Sequence, residues 1–266
     1  MGMPKKLQIA LIVSAGLLPL GPIQAAAPEA PPFKTLVLAG DSITENPTGY
    51  AALIELWLLE RYGSKAPRVI NAGKSSDRVA GVLKRLDADV LAHRPDTVAV
   101  CIGINDVAWW QKEGTPTPPE RYRADLEAIV KRLRESGARV LLGTPALLWE
   151  KTDGTSPSDT RLEQYCALSR EAAQAAGAET VDLRARTVAA LKQRNPDQKD
   201  KGVLTYDGLH LNFAGNCVAA AELLRRLGFS DADDPEFASA FKRFEARMNE
   251  HGAQAVPLTR QEASKP

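Results

Sequence analysis

Five short apolar runs punctuate the chain, at 35–39, 68–71, 97–102, 139–143 and 179–183. They are nearly continuous instead of alternating, which is the pattern of strands covered on both faces. Between them the apolar positions change period. Val79, Val82, Leu83, Leu86 and Val90 recur at helical spacing, as do Leu126, Ile129, Val130 and Leu133, so each of these segments predicts a helix with one apolar face turned to a sheet. Gly63, Gly137 and Gly177 stand where such helices must stop. Strand and helix therefore alternate, and because parallel strands need crossover connections, the alternation predicts an α/β fold with a parallel sheet between helical layers. In such a fold ligand chemistry gathers at the carboxyl ends of the strands.

After the fifth run, Asn212 is placed to cap a helix reaching about Leu227 and ended by Gly228. Asp234 and Pro235 open another, in which Phe237, Phe241, Phe244 and Met248 form a stripe that reads as core packing. From Gly252 onward little apolar material remains, and a mobile tail is expected.

The N-terminus departs from this pattern. Lys5 and Lys6 precede an apolar stretch at 7–20, and small residues follow at Ala25, Ala26 and Ala27. That arrangement is expected of a secretory signal peptide, giving a signal at 1–27, a proline-bearing linker at 28–34, one folded domain at 35–250 and a flexible tail at 251–266. The expected destination is the periplasm or the exterior of the cell. Composition adds mainly exclusions. A formal charge of +1 over 266 residues, with Lys and Arg scattered among Glu and Asp, offers no basic stripe for nucleic acid. Three cysteines, Cys101, Cys166 and Cys217, have no metal-like spacing. Cys101 reads as a small core residue, and Cys166 and Cys217 can pair only if their helices adjoin.

The first run ends in Gly40-Asp41-Ser42, which sets a serine hydroxyl at the carboxyl edge of the sheet. An alcohol needs a base to become a nucleophile at neutral pH, and only three histidines are available. His93 falls at a helix end and reads as a surface or capping residue; His251 borders the tail. His210 lies in Asp207-Gly208-Leu209-His210, immediately before a helix. In a turn, that spacing lets Asp207 meet Nδ1 of the imidazole and leaves Nε2 for Ser42. A structural histidine beside a capping aspartate is the alternative for the segment taken alone. Two more strand ends offer donors for the oxygen of a tetrahedral intermediate: the Gly73 N–H within Asn71-Ala72-Gly73-Lys74-Ser75-Ser76, and the Asn105 amide within Gly103-Ile104-Asn105-Asp106. With the Ser42 N–H these make three donors. Asp41 and Asp106 read as turn organisers instead of acids.

Taken in order, these four segments resemble the four sequence blocks of the SGNH hydrolase family, the GDSL esterases and lipases. The resemblance implies a three-layer α/β/α sandwich, a flavodoxin-like parallel sheet of about five strands, and ester hydrolysis through an acyl-enzyme with no metal and no other cofactor. One departure is visible: many members follow the second-block glycine with Ser-Gly, where this chain has Ser75-Ser76. Trp109, Trp110 and Trp149 follow strand ends and are candidates to line the substrate site, whereas Trp57 beside Ile54 reads as core. Tyr206, next to Asp207, is a weaker candidate for substrate contact. Short-acyl or O-acetyl esters of carbohydrates are the expected substrates. A lysophospholipase or thioesterase acting on lipid esters, and a non-catalytic glycan-binding module on a hydrolase fold, are the alternatives.

Overall fold

The computed structural model describes residues 30–107, 115–156, 158–229 and 235–263. The predicted signal segment and both Trp109 and Trp110 lie outside the described residues.

Five parallel strands, β1 (Thr35–Gly40), β2 (Arg68–Gly73), β3 (Thr97–Cys101), β4 (Arg139–Gly143) and β5 (Glu179–Val181), form one sheet in the order β2-β1-β3-β4-β5. This is the doubly wound, flavodoxin-like order, in which chemistry belongs at the carboxyl ends beside β1. The alternating pleat sends Leu36 and Leu38 of β1 into one apolar core and Val37 and Ala39 into the other. All four of these side chains are fully buried, which is why the run could not alternate with polar residues. On the first face lie α2 (Tyr50–Tyr62) and α8 (Phe213–Leu227); on the second lie α3 (Val79–Asp89), α5 (Pro119–Glu135) and α6 (Asp159–Ala176). Two single-turn helices, α1 (Ser42–Glu45) and α4 (Ile104–Val107), open directly at the ends of β1 and β3. The chain is therefore the three-layer α/β/α sandwich expected from its periodicity.

Differences from expectation have local causes. The fifth strand stops at Val181 and not at Leu183, because the Asp182 carboxylate accepts the Ala185 N–H at 3.0 Å and starts α7 (Leu183–Arg194). Trp57 is core, its ring 4.6 Å from that of Phe229. The three cysteines are free thiols, Cys166 buried on α6 and Cys217 half-buried on α8. Most of the described part of the region expected to be a mobile tail is helical. After α9 (Pro235–His251), a turn at Gly252 leads into α10 (Ala255–Ala263), which folds back onto α2. Ala255 and Val256 are buried there, and Arg260 pairs with Glu55 of α2. Two small apolar residues at the start of a helix suffice because α9 has already covered the flank: Phe241, Phe244 and Met248 of its stripe are all buried.

Candidate active site

Ser42 is the first residue of α1. Its position is set by Asp41, whose Oδ1 accepts the Ile43 N–H at 3.0 Å and caps the helix. The turn is tight enough to require glycine on both sides. A Cβ on Gly40 would stand 2.0 Å from Thr44 Oγ1, and one on Gly73 would stand 2.2 Å from Glu45 N. The α1 backbone thus rests directly on β2.

Across the cleft, the Ser42 Oγ lies 3.1 Å from His210 Nε2, over a sequence separation of 168. The other ring nitrogen, Nδ1, is 2.7 Å from Asp207 Oδ2, while Asp207 Oδ1 accepts the N–H groups of Leu209 and His210 at 2.9 and 2.7 Å. One carboxylate therefore closes its own turn and orients the imidazole. Burial pushes the Asp207 carboxyl up, but hydrogen bonds from the His210 ring and from the backbone of His210 and Leu209 outweigh it and hold it below the ordinary carboxylate range. Of the three histidines only His210 meets the serine; His93 Nδ1 contacts Arg68 and His251 contacts Glu250.

The donors around Ser42 differ from the sequence reading in one place. Asn105 is buried on α4 and gives one Nδ2 hydrogen to Asp77 O at 2.8 Å, which leaves the second for the cleft that it lines. Ser42 N–H, at the first position of its helix, has no preceding turn to receive it. Gly73, by contrast, does not present its N–H to the cleft: Asn71 Oδ1 takes it at 2.9 Å, and Asn71 is itself held by Thr44 O. In the following loop Lys74 N is bound to Gly40 O, Ser75 N to Glu45 and Asp77 N to Lys74 O. That leaves Ser76 N–H without a partner among the described residues. Ser76 lines the cleft beside Ser42 and Asn105, and its φ of +65° is a left-handed conformation that glycine adopts more readily. The second-segment N–H left open beside the cleft is accordingly that of Ser76 and not that of Gly73. The Ser75-Ser76 departure was the visible signal for it, since it falls on the left-handed residue.

Arg85 ties these segments together. Its guanidinium reaches Asp77 at 2.6 Å and Gly40 O at 3.0 Å from within a mostly buried setting. Asp41 and Asp106 act as the predicted organisers: Asp106 accepts from Val79 N at 3.1 Å and from Thr117 Oγ1 at 2.7 Å. Burial pushes the Asp41 carboxyl up to about 7 and that of Asp106 up to about 6.

The cleft is a cavity of about 320 Å³ holding Ser42, Asn105 and His210. Trp149 forms one wall. Its backbone has a φ of +61°, its N–H donates to Gly208 O at 2.6 Å, and its ring lies so close to the Gly208 Cα that a Cβ there would approach to 2.3 Å. The same indole also borders a second cavity of about 210 Å³, lined by Lys151, Thr155, Ser156 and Asp200. Tyr206 is 59% exposed and stacks on the His210 ring, with centroids 5.8 Å apart and planes 10° from parallel. Among the described residues, no cluster of His, Cys, Asp and Glu is arranged to hold a metal ion, and no helix is long and apolar enough to cross a membrane.

Residues 38–217 match the sequence profile of the GDSL-like Lipase/Acylhydrolase family. An acetylxylan esterase of Geobacillus stearothermophilus is 29% identical over 214 residues, covering 73% of this chain and 94% of that protein. Esterase TesA of Pseudomonas aeruginosa is 32% identical over 114 residues, 41% of this chain and 53% of that one. Among solved structures, the acetyl xylan esterase AlAXEase superposes with a TM-score of 0.69 at 30% identity, covering 72% of this chain and 98% of its own.

Proposed function

The chain belongs to the GDSL-like lipase/acylhydrolase family and is a carboxylic ester hydrolase, and from that premise we propose that it removes acetyl or other short acyl groups from carbohydrates through an acyl-enzyme on Ser42. The observation that carries the reading is the continuous line from Asp207 through His210 to Ser42, with contacts of 2.7 and 3.1 Å. His210 takes the Ser42 proton as the oxygen attacks the ester carbonyl, and Asp207 stabilises the resulting imidazolium. The negative oxygen is received by the N–H groups of Ser42 and Ser76 and by the Asn105 amide, donors already fixed before the charge develops. The imidazolium then protonates the departing sugar oxygen as its bond to the acyl carbon breaks, and water repeats the sequence on the acyl-enzyme to release the acid.

The choice of substrate rests on two supports. One is the similarity to acetylxylan esterases, which extends over most of the chain. In addition, the cleft is compact and bounded by Trp149, an aromatic wall that suits the apolar face of a sugar ring, and beyond that wall lies a pocket rich in hydroxyl and charged groups. The apolar stretch at 7–20 behind Lys5 and Lys6 supports action outside the cytoplasm.

Acetate release from acetylated xylo-oligosaccharides tests this directly. The wild type is expected to release acetate and to be labelled irreversibly at Ser42 by a fluorophosphonate, while Ser42→Ala of equal thermal stability loses at least about a thousandfold in kcat. Equal release by both proteins, or efficiency that climbs steeply with acyl chain length, would overturn the reading.

A further inference from the structure

The turn bearing Asp207 and His210 is not carried on a strand of the sheet; it lies in the segment between α7 and α8 and is closed on itself by one antiparallel bridge, Thr205 to Leu211. Something else must hold it at hydrogen-bond distance from Ser42. Directly beneath it stands Glu150, whose side chain is completely buried. Its Oε2 accepts the Val203 N–H at 2.7 Å; its Oε1 accepts the Leu204 N–H at 2.8 Å, the Thr205 Oγ1–H at 2.6 Å and the Thr205 N–H. Three successive backbone donors therefore converge on one carboxylate, an arrangement that an anion satisfies and that a neutral amide would oppose with its own N–H groups.

Glu150 is itself fixed. Its N–H donates to Asp200 O and its carbonyl accepts from Asn195 Nδ2, both at 2.9 Å, while the preceding Trp149 N–H binds Gly208 O. From this base a relay runs upward: Thr205 Oγ1, oriented by donating to Glu150, accepts the Gly208 N–H at 3.1 Å, in the middle of the span that joins Asp207 to His210.

We propose that Glu150 is a positioning residue for the triad: its buried carboxylate, acting through the Thr205 hydroxyl, sets the place of the Asp207–His210 turn relative to Ser42. Glu150 touches no reacting atom. Its effect is on geometry, and misplacing a reacting group by about 1 Å costs on the order of a hundredfold in rate. The inference rests on the reading of Ser42 as nucleophile and His210 as base.

The experiment measures kcat and KM for p-nitrophenyl acetate on the full chain, below each variant's unfolding transition. Glu150→Gln keeps the shape of the side chain and Thr205→Val removes only the relay hydroxyl. Both are expected to lose about 10- to 100-fold in kcat with KM within about twofold. Thr205→Ser restores the hydroxyl and is expected to recover the rate to within about threefold of wild type. Wild-type kcat in folded Thr205→Val overturns the proposal, as does a rate loss in Glu150→Gln that only tracks the loss of folded protein. Should Glu150→Gln not fold, Thr205→Val and Thr205→Ser decide. Ser42→Ala, run alongside, separates the two levels: activity there removes the premise, whereas an inert Ser42→Ala beside an unimpaired Thr205→Val removes only the role of Glu150.

Discussion

Ser42 stands at the end of a strand flanked on both sides by other strands, whereas His210 stands on a turn outside the sheet, anchored by side chains. The surroundings of Ser42 are mostly main chain. Gly40, Gly73 and the α1 backbone lie so close that the serine's place follows from the packing of β1 on β2. His210 is held by a sequence of individual hydrogen bonds, from Glu150 through Thr205 to Gly208 and from Asp207 to the ring. A rigid support and an adjustable one thus meet at a single 3.1 Å contact, and substitutions on the two sides should differ in kind. On the base side they should reach the rate before they reach stability.

The largest expected effect tests that statement. Asp207→Asn keeps an oxygen to accept the Leu209 and His210 N–H groups, so the turn survives, but the ring loses its anionic partner and its fixed tautomer. By analogy with the serine protease triad, kcat should fall by about 10³–10⁴-fold. The midpoint of thermal unfolding should move by only a few degrees. A small rate loss with a large stability loss would reverse the comparison.

On the nucleophile side the largest effect should appear in stability. Asp41 is buried, and its carboxyl is pushed up to about 7 from an ordinary 3.8. Between those two pH values the folded chain holds a proton that the unfolded chain has released, so this residue's contribution makes stability fall as pH rises from about 4 to about 7. Above 7 the full cost of the buried charge is present, on the order of a few kcal/mol. Asp41→Asn retains a capping side chain and removes the charge. Its unfolding free energy relative to wild type should therefore increase from pH 5 to pH 8; a difference that is flat or shrinks with pH would show that the charge is not the cost.

The smallest effect concerns Ser76. Relieving its left-handed backbone with Ser76→Gly should stabilise the protein by about 0.5–1 kcal/mol, since the gain from positive φ exceeds the loss from a more flexible unfolded chain. The N–H is kept, and with it the rate. A tenfold fall in kcat would mean that the hydroxyl, and not the main chain, serves the reaction.

The same division explains what could be read from the sequence. β1, β3 and β4 are buried on both faces, so their apolar runs marked them within a residue. The meeting of Ser42, His210 and Asp207 was also legible, because a serine at a strand end and an aspartate three residues before a histidine are local patterns. Glu150 and Thr205 left no such mark. A glutamate after a strand ordinarily reads as surface, and its burial becomes visible only when residues more than fifty positions later fold over it. That the Gly73 N–H is already taken was not legible, for a related reason. A glycine suggests an open N–H, yet what decides is where the neighbouring Asn71 side chain turns. The C-terminal helix was missed because two small residues, Ala255 and Val256, carry its contact with the core.

Gly73 has a consequence for anyone redesigning this cleft. Its missing side chain is the clearance that lets α1 sit flush on β2, so it works as a shim under the serine. Enlarging that position would tilt the nucleophile's seat without touching the pocket that receives charge. The pocket's own tolerance lies three residues further on, at Ser76, where a bend in the chain is what the position has to supply.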